Sequence, residues 1–109
     1  MTDTIVDQAL VSELKDVMGE GFSALVDSFR ADAEKRLGAL EQHLADADPE
    51  ALRQQAHSFK GSSGNVGAVQ VADLCLSLEK QADGGDLQQA PATIRELRDA
   101  VQRYLSQVG

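Results

Sequence analysis

Seven apolar residues, Phe22, Val26, Phe29, Ala33, Leu37, Leu40 and Leu44, recur at three- and four-residue steps without an intervening proline. Such spacing lays one continuous apolar stripe along a helix. It predicts a helix from about Glu20 to Asp46, about 40 Å long at 1.5 Å per residue. A stripe of that length needs other helices to cover it. Gly38 lies inside the helix but off the stripe, where a glycine costs about 1 kcal/mol against alanine.

The remaining chain supplies the partners. Asp7 to Met18 reads as a first helix, with Val6, Leu10, Leu14 and Val17 on one face and Gly19 as its stop. Asp48-Pro49-Glu50 is a helix start: Asp48 can cap, Pro49 suits the first helical position, and Glu50 favours the positive helix end. The third helix runs to about Val66 and breaks at Gly67. A fourth spans roughly Ala68 to Asp83, with Val71, Leu74, Cys75, Leu78 and Ala82 inward and Gly84-Gly85 at its end. The last runs from about Leu87 to Val108, striped by Leu87, Ile94, Leu97, Val101, Leu105 and Val108. Pro91 allows it to begin there instead, after a separate turn.

Links of two or three residues between long amphipathic helices imply antiparallel neighbours. The expected architecture is all-α: an antiparallel up-down four-helix bundle with a short additional N-terminal helix. At 109 residues the chain is one domain, residues 1–109. Its 42% hydrophobic content supports a folded core, and with 4% aromatics and abundant Ala and Leu it favours helices.

Charge narrows the function classes. The formal net charge is −8 and the pI about 4.5. Nucleic acid and anionic membrane surfaces both select a positive footprint, so neither is an expected partner. No segment approaches about 18 uninterrupted apolar residues. The start, MTDTIVDQAL, lacks the basic and apolar regions of a signal peptide. The lone Cys75 cannot form an internal disulfide, so the expected setting is a reducing cytoplasm.

The third helix carries the unusual chemistry, in AHSFKGSSGNVG from Ala56 to Gly67. Leu52, Ala56, Phe59, Ser63 and Val66 share its core side. Arg53, His57, Lys60, Gly61 and Gly64 share another: one imidazole, two cations and two residues without side chains. Glycines weaken a helix, and packing inside the domain does not call for two on an exposed face. Close approach by another body does. Lys60, three residues after His57, disfavours protonation of the ring, and an exposed histidine with a pKa of about 6.5 is mostly neutral at pH 7. Its lone pair is then free, and Lys60 and Arg53 are placed to meet a phosphoryl group. Phosphoryl transfer asks the protein mainly for positioning and charge neutralisation. Between Ala51 and Val66 the only other charged residues are those two cations, so the face is expected to be locally basic.

HSFKGSSGNVG resembles the motif of the histidine phosphotransfer domain family: His57, then Lys60, Gly61, the small residues Ser62 and Ser63, and Gly67 on one bundle helix. Phe59 and Val66 stand where the family usually has Leu, and Gly64 replaces a more typical small helix former. The likeness extends to LCLSLEK at residues 74–80 and covers nearly the whole chain. It implies that His57 is the phosphoryl acceptor and donor, with Lys60 as charge support and Arg53, Gly61, Gly64 and Phe22 in receiver docking. Val17 and Met18 lie in the same region as Phe22, and all three are equally suited to the core. The implied partners are receiver domains of a hybrid sensor kinase and of response regulators, whose aspartates exchange the group. Magnesium belongs to the receiver; the domain has no cofactor or metal of its own and no kinase activity. A monomer is expected, because no long apolar stripe is left over once the bundle closes.

Other readings weigh against this one. A helical adapter could keep the fold and bind a partner without phosphorylation; the intact His57, Lys60 and Gly61 favour the carrier. The same domain could be part of a chemotaxis-type or hybrid kinase, although Met1 and the end at Gly109 suit a free-standing protein. His43, without a glycine window, is expected to be solvated, and Cys75 to fill the core. Ser62 and Ser63, five and six residues past His57, turn away from it and make no nucleophile–base pair.

Overall fold

The computed structural model describes residues 4–108; positions 1–3 and 109 of the expected single domain lie outside them. All the regular structure in the described residues is helical: α1 Gln8–Met18, α2 Gly21–Ala45, α3 Pro49–Asn65, α4 Val69–Asp83 and α5 Ala90–Val108. The molecule measures 42 × 25 × 18 Å. Its long axis is about the length of α2, which at 25 residues spans roughly 38 Å.

Local chemistry sets the helix ends. Asp7 caps α1, its Oδ1 accepting from the Leu10 amide at 3.1 Å. Asp48 does the same for α3 through the Ala51 amide, also at 3.1 Å, with Pro49 at the first helical position, where no amide hydrogen is needed. Gly19 and Gly67 carry positive φ beyond the ends of α1 and α3. α5 begins at Ala90, three residues later than the apolar pattern from Leu87 suggests. Pro91 tolerates only the first turn of a helix, so the helix starts just ahead of it.

α2 packs on α3, α3 on α4, α4 on α5, and α5 back on α2; the α3–α4 interface is the most extensive. The ring of contacts encloses Phe29, Leu37, Leu40, Leu52, Phe59, Leu78, Leu97 and Tyr104. Phe29 and Tyr104 meet edge to face with centroids 5.2 Å apart. The Tyr104 hydroxyl donates to the Val66 carbonyl at 2.6 Å, fixing α5 to the end of α3, and burial pushes the phenol pKa up to about 12. Cys75 is buried among these residues, its thiol likewise pushed up to about 12 by burial.

α1 contacts α2 and keeps its expected face except at Val17. Val6 and Val11 are buried, Leu10 and Leu14 are partly covered, and Val17 is 80% exposed. The cause is where the helix is anchored. Its start is tied to the turn after α3 by the Asp7 amide, which donates to the Gly67 carbonyl at 2.9 Å, so its N-terminal half meets the bundle while Val17 stays in solvent. No described helix is long and apolar enough to cross a membrane.

Candidate functional site

His57 lies in the middle of α3 with 64% of its side chain exposed, while its neighbours Ala56 and Phe59 are fully buried. The alternation follows from the helical period: the apolar positions point into the bundle and turn the imidazole outward. Its Nδ1 lies 3.1 Å from Oε2 of Glu79 on α4. The other oxygen, Oε1, accepts from the Lys60 ammonium at 2.9 Å. One carboxylate thus bridges the two α3 residues from the neighbouring helix. Lys60 is the main cause holding the Glu79 pKa below the ordinary carboxylate range; the His57 contact adds to it and partial burial opposes. Glu79 is therefore an anion at neutral pH.

Glu79 corrects the expectation of a basic face. Arg53 is likewise bonded to a carboxylate, Glu50, at 2.7 Å, an exposed pairing that lowers the Glu50 pKa and raises that of Arg53. Both cations of the His57 face are thus paired. The acid that neutralises Lys60 comes from α4, 19 residues on, where the periodicity of α3 carries no sign of it. The sequence reading missed Glu79; the available signal was the LEK of residues 78–80, in which Leu78 points inward and Glu79 therefore borders the α3 groove.

Gly61 and Gly64 are both exposed on α3, and a Cβ built on either would meet nothing within 4 Å. The fold does not require either glycine. Gly38 on α2 is equally free, which makes it an internal control. Alanine at Gly38 or Gly61 should stabilise the domain by about 0.5–1 kcal/mol. A glutamine at Gly61 should likewise leave the thermal midpoint unchanged or slightly raised, while slowing exchange with a partner at least tenfold. Equal exchange rates for Gly61→Gln and wild type would remove Gly61 from the docking face.

Phe22 does not reach that face. It is 6% exposed, with the Lys15 ammonium 5.4 Å from its ring centre, and it lines a cavity of about 450 Å³ with Val26, Leu105 and Val108. A ring this large at the entry to α2 gains more by burial than by exposure. Val17 and Met18 are the exposed apolar residues there.

The α2 flank of α3 is polar. Arg36 donates to Gln55 Oε1 and Ser58 Oγ, both at 2.8 Å, and to Asp32 at 2.7 Å. Ser62 donates to the same Asp32 carboxylate at 3.3 Å, away from His57. Ser63 is fully buried, as suits a small packing residue, although its hydroxyl finds no hydrogen-bond partner there, which costs stability. His43 is half-buried rather than fully solvated, beside Arg36, Gln54 and Ser58 in a shallow cavity of about 330 Å³. Among the described residues no three His, Cys, Asp or Glu side chains group as metal ligands.

The described residues form five helices that present an exposed histidine beside a Lys–Glu pair. The Hpt domain family model matches residues 24–107, and the chain belongs to that family. It is similar over 98% of its length to the crystal structure of histidine-containing phosphotransfer protein B (HptB) from Pseudomonas aeruginosa PAO1, covering 93% of that chain at 37% identity with a TM-score of 0.91. No curated protein matches the sequence significantly.

Proposed function

We propose that this domain carries a phosphoryl group on Nε2 of His57, taking it from the aspartyl phosphate of one receiver domain and passing it to the aspartate of another in a multistep phosphorelay. The observation that carries the reading is the orientation of the ring. Nδ1 faces the Glu79 carboxylate, so the lone pair left for attack sits on Nε2 of a largely exposed side chain. Lys60 is within one helical turn to meet the incoming charge. The bare surface of Gly61 and Gly64 lets a partner's pocket close over the ring.

The domain supplies no kinase activity, and magnesium comes with the receiver. Phosphoryl transfer needs in-line positioning and neutralisation of charge more than covalent help from the protein; an exposed helix face meeting a metal-loaded pocket provides both. The partners are receivers of a hybrid sensor kinase and of response regulators. The domain acts as a monomer in the cytoplasm, where Cys75 stays reduced. The cyclic packing of α2 to α5 and the short links at residues 46–48 and 66–68 support an antiparallel up-down bundle with α1 as an addition.

The test is to incubate the purified domain with phosphorylated receivers and magnesium, and to map the acid-labile, base-stable phosphate by mass spectrometry. Label on His57 is expected. Binding to receivers without any transfer would leave a helical adapter in place of a carrier.

A further inference from the structure

We infer that the groove between the C-terminal half of α2 and the N-terminal half of α3 binds a small tetrahedral oxyanion of the phosphate class, at a site separate from His57. The groove is lined by Arg36 and His43 of α2 and by Ala51, Gln54, Gln55 and Ser58 of α3, with a volume of about 330 Å³. That is the small end of the range for ligand clefts, about 300–1,000 Å³. None of the six is a carboxylate. In a chain of formal net charge −8, the one permanent charge on this wall is the Arg36 guanidinium. His57 is turned away from it, towards Glu79 on α4.

The hydrogen bonds in the groove consume acceptors and leave donors over. Arg36 Nη1 donates to Gln55 Oε1 and Ser58 Oγ, both at 2.8 Å, and Arg36 Nε donates to Asp32 at 2.7 Å. Gln55 therefore keeps both hydrogens of its amide, Ser58 the hydrogen of its hydroxyl, and Arg36 both hydrogens of Nη2. None of these meets an acceptor among the described residues, and neither ring nitrogen of His43 has a partner there. Gln54 has given its amide hydrogen to Glu50 at 3.0 Å and presents an oxygen, which suits the P–OH of a partly protonated phosphate. A carboxylate ligand offers two oxygens. A phosphate offers four, matching donors that arrive from two helices.

The carboxylates nearby are committed elsewhere. Asp32 meets Arg36 from the Nε side and also takes the Ser62 hydroxyl at 3.3 Å. Glu50 holds Arg53 and Gln54, and Asp46 takes the Gln42 amide at 3.0 Å. Arg36 itself is 22% exposed and tied at two nitrogens, with its guanidinium 5.9 Å from the Phe59 ring centre. A side chain already held this way loses little freedom when an anion arrives, and a charge-assisted bond from a guanidinium to a phosphate oxygen is among the strong ones. This distinguishes the groove from a solvated cation on an open helix face.

The chain has two histidines, one in the groove and one outside it, so their ring resonances report the two places separately. Full-length domain is titrated with inorganic phosphate at neutral pH and constant ionic strength, with chloride as the control, and followed by ¹H–¹⁵N NMR of the imidazole and Arg36 Nε–H signals. Phosphate should shift the His43 and Arg36 signals saturably and leave His57 in place. Ala51→Glu puts a carboxylate on the groove wall without touching the Arg36 bonds, at a first-turn position of α3 that favours an anion. It should weaken binding about tenfold or more through like-charge repulsion. Arg36→Gln should abolish binding, with circular dichroism verifying the fold of both variants. A parallel titration with glycerol phosphate identifies the source. Equal or weaker binding of the ester assigns the site to free phosphate, and tighter binding assigns it to a phosphoryl group on a larger molecule. Shifts that do not saturate, an equal response to chloride, larger shifts at His57 than at His43, or undiminished binding by Ala51→Glu would overturn the inference.

Discussion

A His57→Gln domain is expected to accept no phosphoryl group from any phosphorylated receiver, while unfolding within about 0.5 kcal/mol of the wild type, as surface substitutions do. Two features of the structure make the separation clean. The imidazole is 64% exposed, and it is hydrogen-bonded to Glu79, whose other oxygen keeps Lys60. Glutamine fits the same helical position with better helix propensity and can still donate to the carboxylate, so no charge is orphaned. What it lacks is a nitrogen lone pair able to attack phosphorus: an amide nitrogen's pair is delocalised into its carbonyl. The loss should therefore be complete rather than graded, read as absence of acid-labile label beside an unchanged melting curve. Label persisting on the variant would move the acceptor elsewhere.

Replacing Gly67 with alanine should act in the opposite way, harming the fold first. Gly67 sits at φ +78°, and a Cβ there would lie 3.1 Å from Val11 Cγ2 and 3.3 Å from the Asp7 carbonyl oxygen. The left-handed backbone alone costs an L-residue about 1–2 kcal/mol. The Asp7 backbone has little room to yield, because its amide is bonded to the Gly67 carbonyl at 2.9 Å. With crowding added, the total should be about 2–4 kcal/mol, within the range of the backbone-strain class of mutations. For a domain of this size each kcal/mol moves the melting temperature by roughly 4–8 °C, so a drop of about 10–25 °C is expected in calorimetry. A change under about 2 °C would mean that the α1 anchor yields freely.

These two positions also show what one-dimensional pattern can and cannot carry. The stripe from Phe22 to Leu44, the Asp48-Pro49 start and the core side of α3 were all legible, because each depends on residues within a turn or two of one another. The outward placement of His57, Lys60, Gly61 and Gly64 follows from the same period. In α1, Val6, Leu10 and Leu14 are at least partly covered as the pattern predicts, but the anchor to Gly67, sixty residues away, also buries Val11 and leaves Val17 in solvent. Phe22 was assigned to docking and is buried, since no periodicity tells whether a ring at a helix entry turns in or out. Glu79 was missed because its role depends on the register between α3 and α4, which neither helix encodes alone.

The pairing of each cation on the His57 face with a carboxylate reaches beyond chemistry to encounter. Arg53 with Glu50, and Lys60 with Glu79, are small local dipoles rather than a positive patch, and their fields fade within a few ångströms of the surface. A receiver approaching this acidic chain feels little attraction at a distance. Recognition is then left to shape at contact, over the bare helix surface at Gly61 and Gly64. Without such steering, association with a receiver is expected at the ordinary docking rate of about 10⁵–10⁶ M⁻¹s⁻¹, and the flow of signal through this domain is then expected to be set by how well surfaces fit and how briefly they stay together.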